Sequence, residues 1–180
     1  YSNTAYALAA LLIQRVSGQS YADFVREAVF LPAGMKDTLV VDRPGVDVPK
    51  RATGYHHVKK RIEPARNDTR VVGDGQIITS AREMVLWEKA LRAGNLVSPE
   101  LLKRAFTSGK LTSGKKTEYG FGWSVVTEDG TRSIEHEGSW DGTATFLRIY
   151  LDGPALLILS NDGNHDPSAL ADQLDPLLRE

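Results

Sequence analysis

Apolar residues recur with helical spacing from the first residues onward. Ala5, Leu8, Ala9, Leu12, Ile13 and Val16 follow an i, i+3, i+4 rhythm, so the pattern predicts a helix capped by Asn3 or Thr4 and stopped by Gly18. Ser20 with Asp23 forms a capping arrangement for a second helix, with Tyr21, Phe24, Val25, Ala28 and Val29 on one side. Pro32 and Gly34 are expected to end it. From Lys36 to Asp74 the rhythm fails. Pro44, Pro49 and Pro64 lie among charges, only Leu39–Val41 reads as a short strand, and the stretch is expected to be a long loop that shapes a rim. Helical spacing returns after the capping box Ser80-Ala81-Arg82-Glu83, with Met84, Trp87, Ala90 and Leu91 closed by Gly94. Ser98-Pro99 opens a further helix.

The period then shifts from helical to extended. Tyr119–Thr127, Ser133–His136, Thr143–Leu151 and Ala155–Ser160 are rich in β-branched and aromatic residues and separated by Gly and Asp turns, so successive antiparallel strands are expected. Leu156–Leu159 is continuously apolar, as a strand covered on both faces would be. Asp166-Pro167 caps a last helix through Leu170, Leu174, Leu177 and Leu178. Helices followed by strands argue an α+β fold. The expected organisation is a helical, loop-rich lobe over residues 1–118 and a lobe of strands plus a C-terminal helix over residues 119–180.

Composition narrows the chemistry. The chain has 180 residues, and 22 Lys+Arg against 23 Asp+Glu leave no basic surplus for nucleic acid. The absence of cysteine removes disulfide frameworks, zinc knuckles and thiol nucleophiles. No apolar run approaches the roughly 20 residues that span a bilayer, so no membrane span is expected.

Two short clusters carry candidate chemistry: Tyr1-Ser2-Asn3 and His136-Glu137-Gly138-Ser139. A tyrosine at the mouth of a helix acts as a general base where cations lower its pKa. An asparagine two residues on offers both a donor and an acceptor. A histidine two residues from a glycine on a strand sets an imidazole beside backbone that a substrate can approach. The N–H after that glycine can then point at an oxyanion. Each residue also has an ordinary reading: Tyr1 as a packing residue, His136 as a hydrogen-bonded surface histidine, Gly138 as a bulge.

Taken in order, the residues resemble a known family. Tyr1-Ser2-Asn3-Thr4-Ala5-Tyr6, Val16-Ser17-Gly18, Phe30-Leu31-Pro32-Ala33-Gly34-Met35, Gly73-Asp74-Gly75, Tyr119-Gly120-Phe121-Gly122-Trp123, His136-Glu137-Gly138 and Leu159-Ser160-Asn161 are similar to the serine β-lactamase and penicillin-binding-protein superfamily. The likeness is to its class C-like branch of esterases, D-aminopeptidases and DD-peptidases. It implies a β-lactamase/DD-peptidase-like fold and a serine hydrolase that forms an acyl-enzyme on an amide, ester or β-lactam carbonyl. No cofactor or metal is implied, the partner is a small-molecule or peptide substrate, and the setting is periplasmic or extracellular.

By this resemblance Tyr1 helps deprotonate the serine and later protonates the leaving group. Asn3 binds the acyl-side carbonyl and the catalytic lysine. His136 stands where many members keep a lysine and bonds toward Tyr1. Gly138 leaves room, and the Ser139 N–H forms half of the oxyanion hole.

The family's Ser-x-x-Lys motif belongs upstream of Tyr-x-Asn, so the chain is expected to be a C-terminal portion, with the N-terminal strands and the nucleophile helix on a missing segment. Ser113-Gly114-Lys115-Lys116 has the same spacing, but it lies in a polar loop with no apolar helix behind it. The alternative reading is a non-catalytic fragment or pseudoenzyme that binds a peptide or peptidoglycan-type ligand. Asp162, Asn164 and Asp166 space like the start of a calcium loop, yet Pro167 and Gln173 replace the required Gly and Glu. His56-His57 beside Lys59-Lys60-Arg61 is a candidate anion site or a solvated charge run. Gly73-x-Gly75 lacks the remainder of a dinucleotide fingerprint, so its expected role is backbone geometry.

Overall fold

A computed structural model describes residues 1–66 and 71–178. Residues 67–70 of the expected 36–74 loop lie outside the described residues. Two compact units form: Tyr1–Arg51 with Asp68–Pro99, and Ala52–Asn67 with Glu100–Glu180.

The first unit is helical. Helix α1 spans Asn3–Ser17, and its cap is Ser2 rather than Asn3 or Thr4. The Ser2 hydroxyl accepts from the Ala5 N–H, and Gly18 closes the helix at φ 73°. The side of α1 turned inward carries Ala10, buried beside the partly buried Tyr6 and Ile13. Gly73 fixes that choice of face, because a Cβ there would collide with the Tyr6 carbonyl and the Ala10 side chain. Leu8, Leu12 and Val16 of the apolar rhythm are exposed. Helix α1 is apolar on two sides, and periodicity alone does not choose between them.

Helix α2 (Tyr21–Val25) starts at its expected Ser20 cap, whose hydroxyl accepts from the Asp23 N–H. It does not stop at Pro32. The chain widens into a π turn over Arg26–Phe30 and runs on through α3 (Leu31–Ala33) to Gly34 at φ 80°. The Leu31 N–H donates to the Arg26 carbonyl, five residues back. A widened turn moves the carbonyls away from the proline ring, which would clash in a regular α-helix.

Strands β1 (Leu39–Val40) and β4 (Ile77–Ile78) pair antiparallel. Helix α4 (Ala81–Arg92) completes a core of Val25, Phe30, Ala33, Met35, Val40 and Ala90. The Ser80 hydroxyl caps α4 through the Glu83 N–H, as expected. The Glu83 side chain spans a longer distance in sequence. It accepts from the Asp37 N–H at 2.9 Å and from the Thr38 hydroxyl, tying α4 to the start of β1. Burial pulls the Glu83 pKa upward, but bonds from Thr38 and from the backbone N–H groups of Asp37, Lys36 and Thr38 outweigh it and hold the carboxyl below its ordinary value.

A lowered folded-state pKa contributes stability above the unfolded-state pKa, and that contribution is lost as pH falls through the folded value. Glu83→Gln is therefore expected to lower stability at neutral pH and to flatten the loss on acidification below about pH 4. Glu83→Ala, which also leaves buried donors without acceptors, is expected to cost about 3 kcal/mol. Denaturant midpoints measured from pH 3 to 7 check both; equal acid slopes for wild type and Glu83→Gln would remove the carboxylate from this role.

The second unit is built on a four-stranded antiparallel sheet, β5 (Ser124–Glu128), β6 (Thr131–Trp140), β7 (Thr143–Tyr150) and β8 (Ala155–Ser160), in sequential order. Helix α5 (Pro99–Ala105) precedes it and α6 (Pro167–Leu178) packs against β7 and β8. Arg148 joins sheet to helix. Its guanidinium bonds Glu135 on β6 at 2.8 Å and Asp172 and Asp175 on α6 at 3.0 and 3.2 Å. Burial opposes the Arg148 charge, but Glu135 and Asp172 outweigh it and hold the pKa above its ordinary value. Asp166 caps α6 with bonds from the Ser168 hydroxyl and the Ser168 and Ala169 N–H groups, and those bonds lower its pKa.

Three expectations change here. The strand expected from Tyr119 begins at Ser124, because Gly120 to Trp123 closes a tight turn with the Gly120 N–H on the Trp123 carbonyl at 2.7 Å. Among the described residues strand β8 pairs only with β7, and it is half-buried, not covered on both faces, with Leu159 exposed. The loop expected around Tyr55 holds a hairpin, β2 (Tyr55–Val58) with β3 (Arg61–Pro64). Its turn uses Lys59 at φ 57°, a left-handed residue that no glycine announces. The Tyr55 N–H donates to Gly142 and Asn161 carbonyls, and the Gly163 N–H returns to Tyr55.

The remaining motif candidates resolve locally. His56 lies 3.8 Å from Asp141 and His57 3.3 Å from Asp162, so the histidine pair meets carboxylates rather than an anion pocket. Among the described residues no cluster of three His, Asp or Glu side chains could hold a metal ion, and no helix is long and apolar enough to cross a membrane. Ser113 sits in a tight turn next to Gly114 at φ 84°, with no helix beginning there.

Candidate active site

Tyr1 and Asn3 belong to the first unit, and His136, Gly138 and Ser139 to the second. Within each unit the sequence clusters hold together. Tyr1 precedes the extended N-cap Ser2 (φ −156°, ψ 118°), and Asn3 is the first residue of α1. The Tyr1 ring tilts against Tyr6 with centroids 5.5 Å apart. Partial burial of the hydroxyl, then the Asp74 carboxylate and Tyr6, raise the Tyr1 pKa above its ordinary value. A base role asks for cations beside the phenol, and within this unit the charge acting on it is negative.

His136 lies on β6, opposite Leu147 of β7. Alternation places His136, Gly138 and Trp140 on one face of the sheet, while Glu135, Glu137 and Ser139 share the other with Arg148. Both imidazole nitrogens are engaged: Nδ1 is 2.6 Å from the Glu137 carbonyl oxygen, and Nε2 is 2.9 Å from the Tyr119 hydroxyl. The two rings meet edge to face, centroids 6.1 Å apart at 72°. Gly138 lies opposite Thr145, and a Cβ at 138 would stand 2.6 Å from the Thr145 hydroxyl. A side chain at 138 would have to displace the Thr145 hydroxyl.

Strand β5 ends its pairing with Ser124 opposite Glu135. Beyond that point, among the described residues, β6 has β7 as strand neighbour on one side only. Glu137–Trp140 is therefore a stretch of strand with one open flank, next to an imidazole and a side-chain-free residue. An extended chain can lie along such a flank and pair with it.

A beta-lactamase family profile matches residues 1–177. The chain belongs to the beta-lactamase family. It is 31% identical to penicillin-binding protein 4* of Bacillus subtilis (strain 168), a match covering 92% of this chain and 40% of that protein. It is 29% identical to a D-aminopeptidase of Brucella canis, over 79% of this chain and 27% of the relative. The octameric penicillin-binding protein homologue from Pyrococcus abyssi superposes with a TM-score of 0.82 at 25% identity, covering 97% of this chain and 42% of the other. The chain thus spans less than half the length of each of these relatives. The expected α+β, β-lactamase/DD-peptidase-like fold agrees with the family match and with this superposition.

Within this beta-lactamase family chain, Tyr119 is the residue that sequence reasoning missed. It lies in the Tyr-Gly-Phe-Gly-Trp run, but reading that run as the start of a strand gave its side chain no task.

Proposed function

We propose that the protein carrying this chain is a serine hydrolase that acylates itself with the carbonyl of a D-amino-acid amide or peptide and then transfers the acyl group to water. The observation that carries this is the open flank of β6 beside His136 and Gly138, where an extended substrate can lie with its carbonyl near the Ser139 N–H. The sequence similarity to a D-aminopeptidase supports an amide as the substrate class.

In this reading the nucleophilic serine and its lysine lie on polypeptide outside these 180 residues. The exposed apolar row Leu8, Leu11, Leu12 and Val16 on α1 supports that, since an apolar helix face of this size is normally covered. Tyr1 takes the serine proton and returns it to the leaving nitrogen, with the lysine supplying a cation that lowers the phenol pKa. Asn3 holds the acyl-side carbonyl. The Ser139 N–H stabilises the oxyanion, and His136 assists the proton transfers.

The test is turnover of a D-amino-acid amide against its L-enantiomer by the intact protein. A preference for the D form, abolished by a serine-directed inhibitor, is expected. Binding of a peptide ligand without turnover of amide or ester would replace the enzyme with the binding protein.

A further inference from the structure

The Glu137 carbonyl only accepts hydrogen bonds, so the 2.6 Å contact with His136 Nδ1 requires a proton on Nδ1. The neutral imidazole then carries its lone pair on Nε2, aimed at the Tyr119 hydroxyl 2.9 Å away. With His136 neutral, Tyr119 donates to Nε2. With His136 protonated, Nε2–H donates to the Tyr119 oxygen. The same two atoms stay bonded in both charge states, and only the direction of the bond reverses.

The phenol is firmly mounted for this. The Tyr119 carbonyl accepts from the Gly109 N–H and the Thr117 hydroxyl, both at 2.9 Å, and the Tyr119 N–H points back at Thr117 Oγ1 at 3.4 Å. Its neighbour Gly120 is pressed against the Ala105 carbonyl so closely that a Cβ has no room. The Phe121 N–H fastens the same turn to Ala105 at 3.0 Å. Glu118 enters the segment in the left-handed region at φ 57°. Such backbone holds only where its surroundings determine it.

We propose that Tyr119 is a positioning residue for the hydrolytic reaction: it holds the ring orientation of His136, whose tautomer the Glu137 carbonyl sets, and lets that histidine gain and lose a proton without moving. This rests on the placement of His136 in the acyl-transfer site. Tyr119 touches His136 and acts through it. Without the hydroxyl, Nε2 has lost its anchor, the ring can rotate about its side-chain torsions, and the fraction of molecules with the imidazole correctly set falls.

The test is the long-range proton–nitrogen spectrum of the intact protein labelled with 15N-histidine, with His136→Gln assigning the signals. The neutral His136 ring is expected to carry its proton on Nδ1. Tyr119→Phe, which keeps the ring, is expected to shift the Nε2 resonance toward that of an unbonded imidazole and to lower kcat roughly tenfold with KM little changed, the rate equivalent of one neutral hydrogen bond. A neutral ring protonated at Nε2 overturns the proposal. So does a Tyr119→Phe variant with an unmoved resonance, or one with a moved resonance and an unchanged kcat. The wild-type spectrum requires no turnover, so it fails separately from the serine-hydrolase reading, whose own failure is the absence of an acylated serine.

Discussion

His136→Ala slows acylation by roughly 10²–10⁴-fold, the range for a group that assists proton transfer. Its ring occupies one face of β6, with both nitrogens bonded, two residues from a glycine whose Cβ would meet the Thr145 hydroxyl. Removing the imidazole removes a group that can be charged or neutral in the reaction. The pH profile of kcat/KM, followed from about pH 4 to 9, is therefore expected to change shape. His136→Lys keeps a cation within reach of the same face, so it is expected to retain part of the rate with a flatter limb on the pH profile. Steady-state kinetics over that range on the intact protein provide the check. If His136→Ala leaves both rate and profile as in wild type, the histidine is a strand residue and the His-x-Gly segment has no part in the chemistry.

The elements that sequence patterning placed correctly are those whose signals are local. Ser20, Ser80 and Asp166 cap helices because a short polar side chain satisfies N–H groups two or three residues on, and that geometry follows from spacing alone. Strands β6 and β7 were legible from β-branched runs and intervening turns, although β6 runs on through Gly138 to Trp140. What escaped depends on contacts distant in sequence. The hairpin β2–β3 hid behind a run of His, Lys and Arg, and it is secured by backbone bonds from Tyr55 to Gly142, Asn161 and Gly163, about 90 to 110 residues away. The inward side of α1 is not readable from its spacing for the same reason, since the approach of Gly73 decides it.

The candidate site divides along the same line. Tyr1, Asn3, His136, Gly138 and Ser139 were each visible within a three- or four-residue motif. The bond from His136 to Tyr119 crosses 17 positions and a turn whose shape rests on Gly120 packing against Ala105, and no period reveals it. Glu83 shows a mixed case: its capping-box position was legible, whereas its carboxylate serves Asp37 and Thr38 instead of closing the box.

In the proposed reaction, chemistry passes through an acyl-serine whose nucleophile is not among these 180 residues. Removing an activated nucleophile takes away most of an enzyme's rate enhancement and leaves what binding and an oxyanion hole supply. The most direct measurement is mass spectrometry after treatment with a serine-directed fluorophosphonate, on the 180-residue chain and on the intact protein side by side. The expected result is no adduct on the chain and one stoichiometric adduct on the intact protein, mapped to the serine of a Ser-x-x-Lys motif preceding Tyr1. A stoichiometric adduct on Ser113, or an intact protein that stays unlabelled, would contradict it.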